Sequence, residues 1–502
     1  MSSPATQELQ DFYDRKIDDH FSEIRLLREQ RNADCSKTKN LPPEILVMIF
    51  GFLECEFRGE THSHLEWNSV TQVCRTWRNA ALNEPTLWID FIEPHPKWIR
   101  ELFARSQAAP LILRFEPDAQ DGLDFIIDHV VEHPERMKSL DICTKGPFPG
   151  LFNKPAPFLQ ALVTRDDVEF PSDFLGGVAP RLESLFSSGA LPFEASWLAS
   201  VTNLECRRLP LGATWFRQLT SLHLGWGWVA LDAKSGKIRR PSMEIILSAL
   251  DNMPLLQRLD IYLSYNMNKT PCIRSTPVHL RHLCDITARF SHAPMATIFN
   301  YLAVDSIKQL RTNWPSSSET ANVNPVLQFF NRCYEGGDLH YLSQTTGVEM
   351  GRFVGSKGEY VPVLVLEDFK PVDLASIVNQ VPCCVPRLFE TYLAYAFKTL
   401  SLKECETIEQ LRVCRPPELD DVLEFDDTSP PPYPSLRRIH FVGINFSPKR
   451  RVIPSIKRWL AIRDSKIELE MSDCNISDKA IELLRKMAFI TSYYEVPGTI
   501  ES

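Results

Sequence analysis

At 502 residues the chain has room for roughly three ordinary domains, or for one small domain and an extended array. Its hydrophobic content of 44% is that of a folded chain, and a net charge of −9 argues against the clustered Lys and Arg of a broad nucleic-acid footprint. No apolar run reaches the length of a membrane span and no charged-then-apolar signal opens the chain, so a soluble protein of the cytoplasm or nucleus, or both, is expected, with no membrane partner.

Ser3 can cap and Pro4 can start a first helix. From there to Arg31, Leu9, Tyr13, Ile17, Phe21, Ile24 and Leu27 recur at steps of three or four with charges between them. The pattern predicts an amphipathic helix of about seven turns. Its stripe suits either a coiled-coil arm for self-association or a helix that folds back on its own protein or frays in solution; it covers fewer than three heptads. The helix and its linker occupy residues 1–34, and polar residues Asn32–Asn40 lead into the next element.

Leu41-Pro42-Pro43-Glu44-Ile45-Leu46-Val47-Met48-Ile49-Phe50-Gly51-Phe52-Leu53 reads as a short helix. The two prolines suit the first helical positions, where no amide hydrogen is needed, and Glu44 complements the positive end of the helix dipole. Ile45, Met48, Ile49 and Phe52 fall on one face; Leu46, Phe50 and Leu53 fall on an adjoining one. A helix apolar nearly all round must be covered on more than one side. Trp67–Ala81 reads as further helix, and Leu87 and Trp88 close the segment after a turn at Asn83-Glu84-Pro85. A unit running only from Leu41 to Trp88 buries too little to hide Phe50, Trp77, Trp88 and that helix. The surplus must face a partner.

Leu41-Pro42-Pro43-Glu44-Ile45-Leu46, Ile49-Phe50, Val73-Cys74-Arg75-Thr76-Trp77-Arg78 and Pro85-Thr86-Leu87-Trp88, in that order, resemble an F-box, here placed at residues 38–92. Order and spacing are similar to those of F-box proteins from mushroom-forming fungi. The long polar connection Glu54–Glu66, with His62 and His64, departs from the pattern. The resemblance implies docking onto the small adaptor subunit of an SCF-type ubiquitin ligase, and through it onto a cullin. It places that contact on Leu41, Pro42, Pro43, Ile45, Ile49, Val73, Trp77 and Trp88.

In residues 93–502 a pattern apolar-x-x-apolar-x-apolar returns, as in Met137–Ile142, Leu219–Leu224, Leu256–Ile261, Phe397–Leu402 and Leu436–Phe441, with weaker copies beginning at Leu159, Leu182, Leu204 and Leu280. Several steps of 22–24 residues match the period of leucine-rich repeats. Positions 4 and 6 of each copy would point into the core, and position 5 (Asp141, His223, Asp260, Ser401, His440) outward. Helices are expected over Ser242–Leu250 and Asn324–Cys333, and a buried strand over Tyr360–Leu366. Residues 416–434 form an acidic, Pro-rich stretch that reads as an inserted loop. Ser477 begins a last helix, Asp478–Met487, that would cap the array. The expected architecture is α/β: an amphipathic helix, a small all-α F-box, then an irregular leucine-rich-repeat-like solenoid with a parallel strand ladder. Its inner surface suits recognition of a target protein.

Motifs for chemistry are absent from the sequence: no G-x-S-x-G, no H-E-x-x-H, and no phosphate loop ending in Gly-Lys-Ser/Thr. Gly351–Gly358 reads as a hairpin turn, Asp166-Asp167 and Asp420-Asp421 as solvated loop acids, and Lys449-Arg450-Arg451 with Lys457-Arg458 as a surface patch. His279 and His282 are spaced to point to opposite sides of a strand. The 13 cysteines include no C-x-x-C pair, so reduced thiols and no zinc site are expected. Trp226 and Trp228, in a Gly/Trp loop, are either partner anchors or packed rings. No catalytic residue, cofactor or metal is expected. The expected role is a substrate-recognition adaptor of an SCF-type ligase. The alternatives are an F-box scaffold outside a ligase and a hydrolase or transferase hidden in residues 93–502.

Overall fold

The computed structural model describes residues 4–35, 38, 41–57, 66–92, 96–115, 133–142, 153–167, 170, 173–232, 237–263, 272, 274–290, 293–313, 324–344, 347–354, 359–367, 378–392, 407–414, 433–444, 446, 452–461 and 467–494. The sequence motifs around His62 and His64, Phe397–Leu402, Lys449–Arg451 and most of 416–434 lie outside the described residues. The chain forms two compact units, Met1–Leu140 and Asp141–Ser502. Among the described residues no helix is long and apolar enough to cross a membrane.

The first unit opens with α1 (Pro4–Cys35). Leu9, Tyr13, Ile17, Phe21, Ile24 and Leu27 are all exposed on it, so the stripe is not folded against the described residues of its own chain. Next come α2 (Pro43–Phe57), a 3-10 segment Glu66–Gln72, α3 (Arg75–Leu82) and a 3-10 turn Pro85–Trp88. The continuous helix expected over Trp67–Ala81 is therefore two pieces. The β-branched residues Val70, Thr71 and Val73 lose side-chain freedom in a helix. The Thr71 hydroxyl instead donates to the Asn68 carbonyl at 2.8 Å, Cys74 is extended, and Arg78 Nε reaches back 2.7 Å to the Thr71 carbonyl. The Glu84 side chain starts the Pro85 turn by accepting from the Thr86 amide and hydroxyl.

Beyond this lie β1 (Asp90–Ile92), α4 (Pro96–Arg105) and β2 (Leu111–Phe115). β1 and β2 pair in parallel, and α4 supplies the crossover that such a pair requires. Arg136 ties down the end of α4 by donating to Ser106 Oγ at 2.8 Å and to the Ala109 carbonyl at 3.1 Å.

A strand β3 (Met137–Ile142) runs across the unit boundary. In the second unit follow β4 (Ala161–Thr164), β5 (Ser184–Ser187), β6 (Asn203–Cys206), β7 (Arg208–Leu211), β8 (Ser221–Leu224), β9 (Val229–Asp232) and β10 (Ile238–Arg239). Then come α5 (Met243–Leu250), β11 (Arg258–Leu263), β12 (Val278–His279), β13 (Asp285–Phe290), β14 (Leu302–Ala303) and β15 (Gln309–Asn313). The strands β4, β5, β6, β8, β11, β13 and β15 pair side by side, all in parallel. Their register aligns Leu162, Leu185, Leu204, Leu222, Leu259, Ile286 and Leu310 in one buried column. Their neighbours one residue away form the outer face, as a two-residue side-chain period requires; it is mostly polar, with Val163 and Phe186 as apolar members. β7, β9 and β10 make a small separate sheet.

After α6 (Asn324–Cys333), a meander β16 (Leu339–Gln344), β17 (Gly347–Val354) and β18 (Glu359–Glu367) interrupts the order. β18 pairs with β15 in parallel, β17 runs antiparallel between β18 and β16, and β16 pairs in parallel with β19 (Cys384–Tyr392). Parallel pairing continues through β20 (Gln410–Cys414), β21 (Arg438–Val442), β22 (Glu468–Ser472) and β23 (Phe489–Tyr494). α7 (Val452–Ala461) precedes β22 and α8 (Asp478–Arg485) precedes β23, so α8 is not the last element. The result is a mixed α/β chain with a large, open, mostly parallel sheet.

Two copies of the strand pattern are placed differently from the sequence expectation. The buried pair Leu204 and Cys206 sets its copy to begin at Val201, and Ile286 and Ala288 set theirs at Leu283. In both regions two apolar residues lie three apart (Val201 and Leu204, Leu280 and Leu283), and the first of one pair and the second of the other begins the copy. α5 follows its prediction: Ser242 Oγ accepts from the Ile245 amide at 3.2 Å, and Ile246, Leu247 and Leu250 are buried. Ser242→Ala is expected to cost about 1 kcal/mol, read as a lower midpoint in urea unfolding at unchanged slope.

Candidate protein-docking surface

α2 divides its apolar residues sharply. Leu46 and Phe50 are fully buried, and Phe50 packs on Trp77 with ring centroids 5.2 Å apart. Ile45, Met48, Ile49 and Phe52 are 40%, 58%, 38% and 72% exposed. Their spacing puts them on one face of the helix. Val73, at the break before α3, is 59% exposed. Complete covering of these five side chains is worth roughly 4–8 kcal/mol. That is of the order of the freedom lost on association, about 4–15 kcal/mol, so losing one of the five should be measurable.

The start of α2 explains why this face can be presented. Pro42 and Pro43 have no amide hydrogen to leave unpaired, and the Pro42 carbonyl accepts from the amides of Ile45 and Leu46 at 3.0 and 3.2 Å. Beneath, α2 packs on the Glu66–Gln72 segment and on α3. A second aromatic pair holds the support. Trp67 and Trp88 lie 4.9 Å apart, Trp88 Nε1 donates to the Ala81 carbonyl at 2.8 Å, and the Arg105 guanidinium stands 4.3 Å over the Trp88 ring. Arg75 of α3 also pairs with Glu29 of α1 at 2.7 Å.

Of the residues singled out in the sequence, Pro42, Pro43, Ile45, Ile49 and Val73 are exposed, while Leu41 and Trp77 are half-buried. Trp88 is 1% exposed. Its own chain covers it, so it supports the platform from inside and offers no surface to a partner. Met48 and Phe52 were absent from the motif-derived set but belong to the exposed face. The helical spacing that put them beside Ile45 and Ile49 was the signal.

In the second unit, the outward strand positions behave unequally. His223, Asp260 and His440 are half-buried on the outer face, with His223 Nδ1 between Glu205 at 3.9 Å and Asp260 at 3.8 Å. Asp141, expected to face outward, is only 7% exposed because Arg165 lies across it in a two-pronged ion pair at 2.9 and 3.2 Å. Trp226 and Trp228 part ways. Trp226 is 78% exposed beside Gly227, whose φ of +78° turns the loop, whereas Trp228 is buried with Nε1 donating to the Tyr262 carbonyl at 3.0 Å. Gly351 lies in β17, which pairs antiparallel with β18. Burial pushes the Cys206 thiol far up and the Cys414 thiol up to about 11, which keeps both in the unreactive protonated form.

A family model described as F-box-like matches residues 38–92, the segment that contains α2, α3 and the Trp88 platform. No curated protein matches the chain.

Proposed function

We propose that this chain is the substrate-recognition adaptor of an SCF-type (cullin-RING) ubiquitin ligase. F-box domains generally bind the small adaptor subunit of such complexes, and residues 38–92 are F-box-like. The observation that carries the reading is the row Ile45, Met48, Ile49 and Phe52, an apolar helix face left uncovered by the described residues of its own chain. The unit Asp141–Ser502 then captures a target protein on the outer face of its strand ladder. Holding the two together raises the local concentration of target lysines near the ubiquitin-transferring subunits, so the chain needs no chemistry of its own.

The fuller reading is an F-box protein with degenerate leucine-rich repeats, similar to those of mushroom-forming fungi, whose second unit is a solenoid. Its support is the column of aligned residues at 162, 185, 204, 222, 259, 286 and 310, which recurs at steps of 23, 19, 18, 37, 27 and 24 residues. The exposed stripe of α1 adds a surface suited to self-association.

The test is affinity purification of the tagged full chain from cells that contain the ligase core. The adaptor subunit and a cullin are expected together, in near-equal amounts. Recovery of the adaptor without any cullin would turn the reading into a scaffold outside the ligase. Recovery of neither would end it.

A further inference from the structure

On the outer face of β4, β5, β6 and β8 lies an open cleft of ≈ 590 Å³. Its floor shows a row of three residues that the ladder itself places in line. The pairs Thr164, Ser187 and Cys206 are in register, and each strand runs on by one further rung. The Ser188 amide donates to the Thr164 carbonyl at 3.0 Å and the Arg207 amide to the Ser187 carbonyl at 3.0 Å. Arg165, Ser188 and Arg207 therefore stand side by side across three strands. At about 4.8 Å per strand, the two arginines are roughly 10 Å apart with the serine between them.

Each member of the row has a property that points to an anion. Arg165 is held in place by Asp141 and still has half of its side chain in solvent. Arg207 is exposed and makes no side-chain ion pair with the described residues. Ser188 is 8% exposed, and its buried hydroxyl has no hydrogen-bond partner among the described residues. A buried hydroxyl without a partner is costly, and Ser188 lines the cleft, so a ligand oxygen that reached its hydroxyl would relieve that cost. One strand position back, Val163 and Phe186 give the cleft an apolar wall, followed by Glu205 and His223.

Charge selects among anions. Two guanidiniums set against Asp141 and the cleft-lining Glu205 leave a charge near zero, with positive charge gathered at Arg165 and Arg207 and Glu205 set back in the Phe186–His223 row. A single carboxylate between the arginines adds one negative charge against Glu205, whereas a phosphate dianion adds two and meets about twice that repulsion, so the cleft favours the carboxylate. We propose that this cleft is where a target is gripped. The occupant is a peptide segment with an Asp or Glu side chain between Arg165 and Arg207, hydrogen-bonded by Ser188, and an adjacent large apolar side chain on Val163 and Phe186. The inference deepens, and rests on, the reading that the second unit captures a target protein.

The experiment selects from a random hexapeptide bead library, N-acetylated and C-amidated, with a phosphoserine sub-library, on the purified full chain. Peptides with Asp or Glu beside a large apolar residue are expected to be enriched. Arg207→Glu, at an exposed site, is expected to weaken the selected peptides at least tenfold. Ser188→Ala is expected to weaken them several-fold while leaving the thermal midpoint unchanged or raised, since it removes an orphaned hydroxyl. Enrichment independent of acidic residues, or phosphoserine peptides binding tenfold better than glutamate peptides, would overturn the carboxylate assignment. Peptides indifferent to both variants would sink this cleft yet leave target capture elsewhere on the unit standing. A full chain that enriches no peptide sinks the cleft as well, and the broader reading is then decided by whether any ubiquitinated protein co-purifies with the ligase core.

Discussion

Ile49→Glu is expected to reduce recovery of the adaptor subunit at least 100-fold while leaving the chain folded. Ile49 is 38% exposed on the free protein, so a glutamate there can turn its carboxylate to water and cost the fold little. Under a docked partner that escape is lost. An unpaired carboxylate is then enclosed between apolar surfaces, at a cost of about 3 kcal/mol or more, which is about two factors of ten in affinity. Phe52→Glu tests the same face from its most exposed position. The measurement is co-purification of the adaptor with wild type and variants, normalised to the amount of chain, alongside a thermal melt of each. Undiminished recovery with Ile49→Glu would remove this face from the docking surface.

The second large effect is internal. Trp88→Ala is expected to destabilise the first unit by about 3–5 kcal/mol, a substantial part of the 5–15 kcal/mol that holds a typical domain together. The ring fills space against Trp67, its indole N–H satisfies the Ala81 carbonyl, and Arg105 stacks over it. Its removal leaves a cavity, an unpaired carbonyl and an unstacked guanidinium together. Denaturant unfolding of the full chain, followed by tryptophan fluorescence, is expected to show an early transition in the variant. A loss below about 1 kcal/mol would mean that this packing contributes little. The contrast matters for interpretation: a docking defect in Trp88→Ala reports a lost platform, whereas one in Ile49→Glu reports a lost contact.

The split of α2 into a buried and an exposed face was legible from its spacing, because a residue's side on a helix follows from its number alone. Leu46 and Phe50 point inward, while Ile45, Met48, Ile49 and Phe52 point away. The alternation along β5, β8 and β11 was legible for the same reason. What the pattern did not carry was long-range order. Nothing in Gly347–Val354 states that β17 will run antiparallel between β16 and β18, since that depends on which edges are free when the chain arrives. In β15 the polar but fully buried Thr312 replaces the last apolar residue of the pattern begun at Ile307, and in β22 the buried residues Ile467, Leu469 and Met471 alternate strictly instead of following it; Ile408, Leu411 and Val413 carry the full pattern into β20, where it was legible and overlooked. The burial of Asp141 could not be foreseen either, because its cover, Arg165, comes from the following strand region. Trp88 differs in the opposite direction: the motif implies a contact, whereas the ring is enclosed by its own chain against Trp67 and the Ala81 carbonyl.

The most direct test of the central claim is hydrogen exchange of the full chain with and without the adaptor subunit. Slower exchange is expected in the α2 peptides spanning Ile45 to Phe52 and around Val73, with little change at the already buried Ala80–Ala81 and Trp88. Unchanged exchange along α2 on addition of a saturating adaptor, or protection confined to the second unit, would contradict the account.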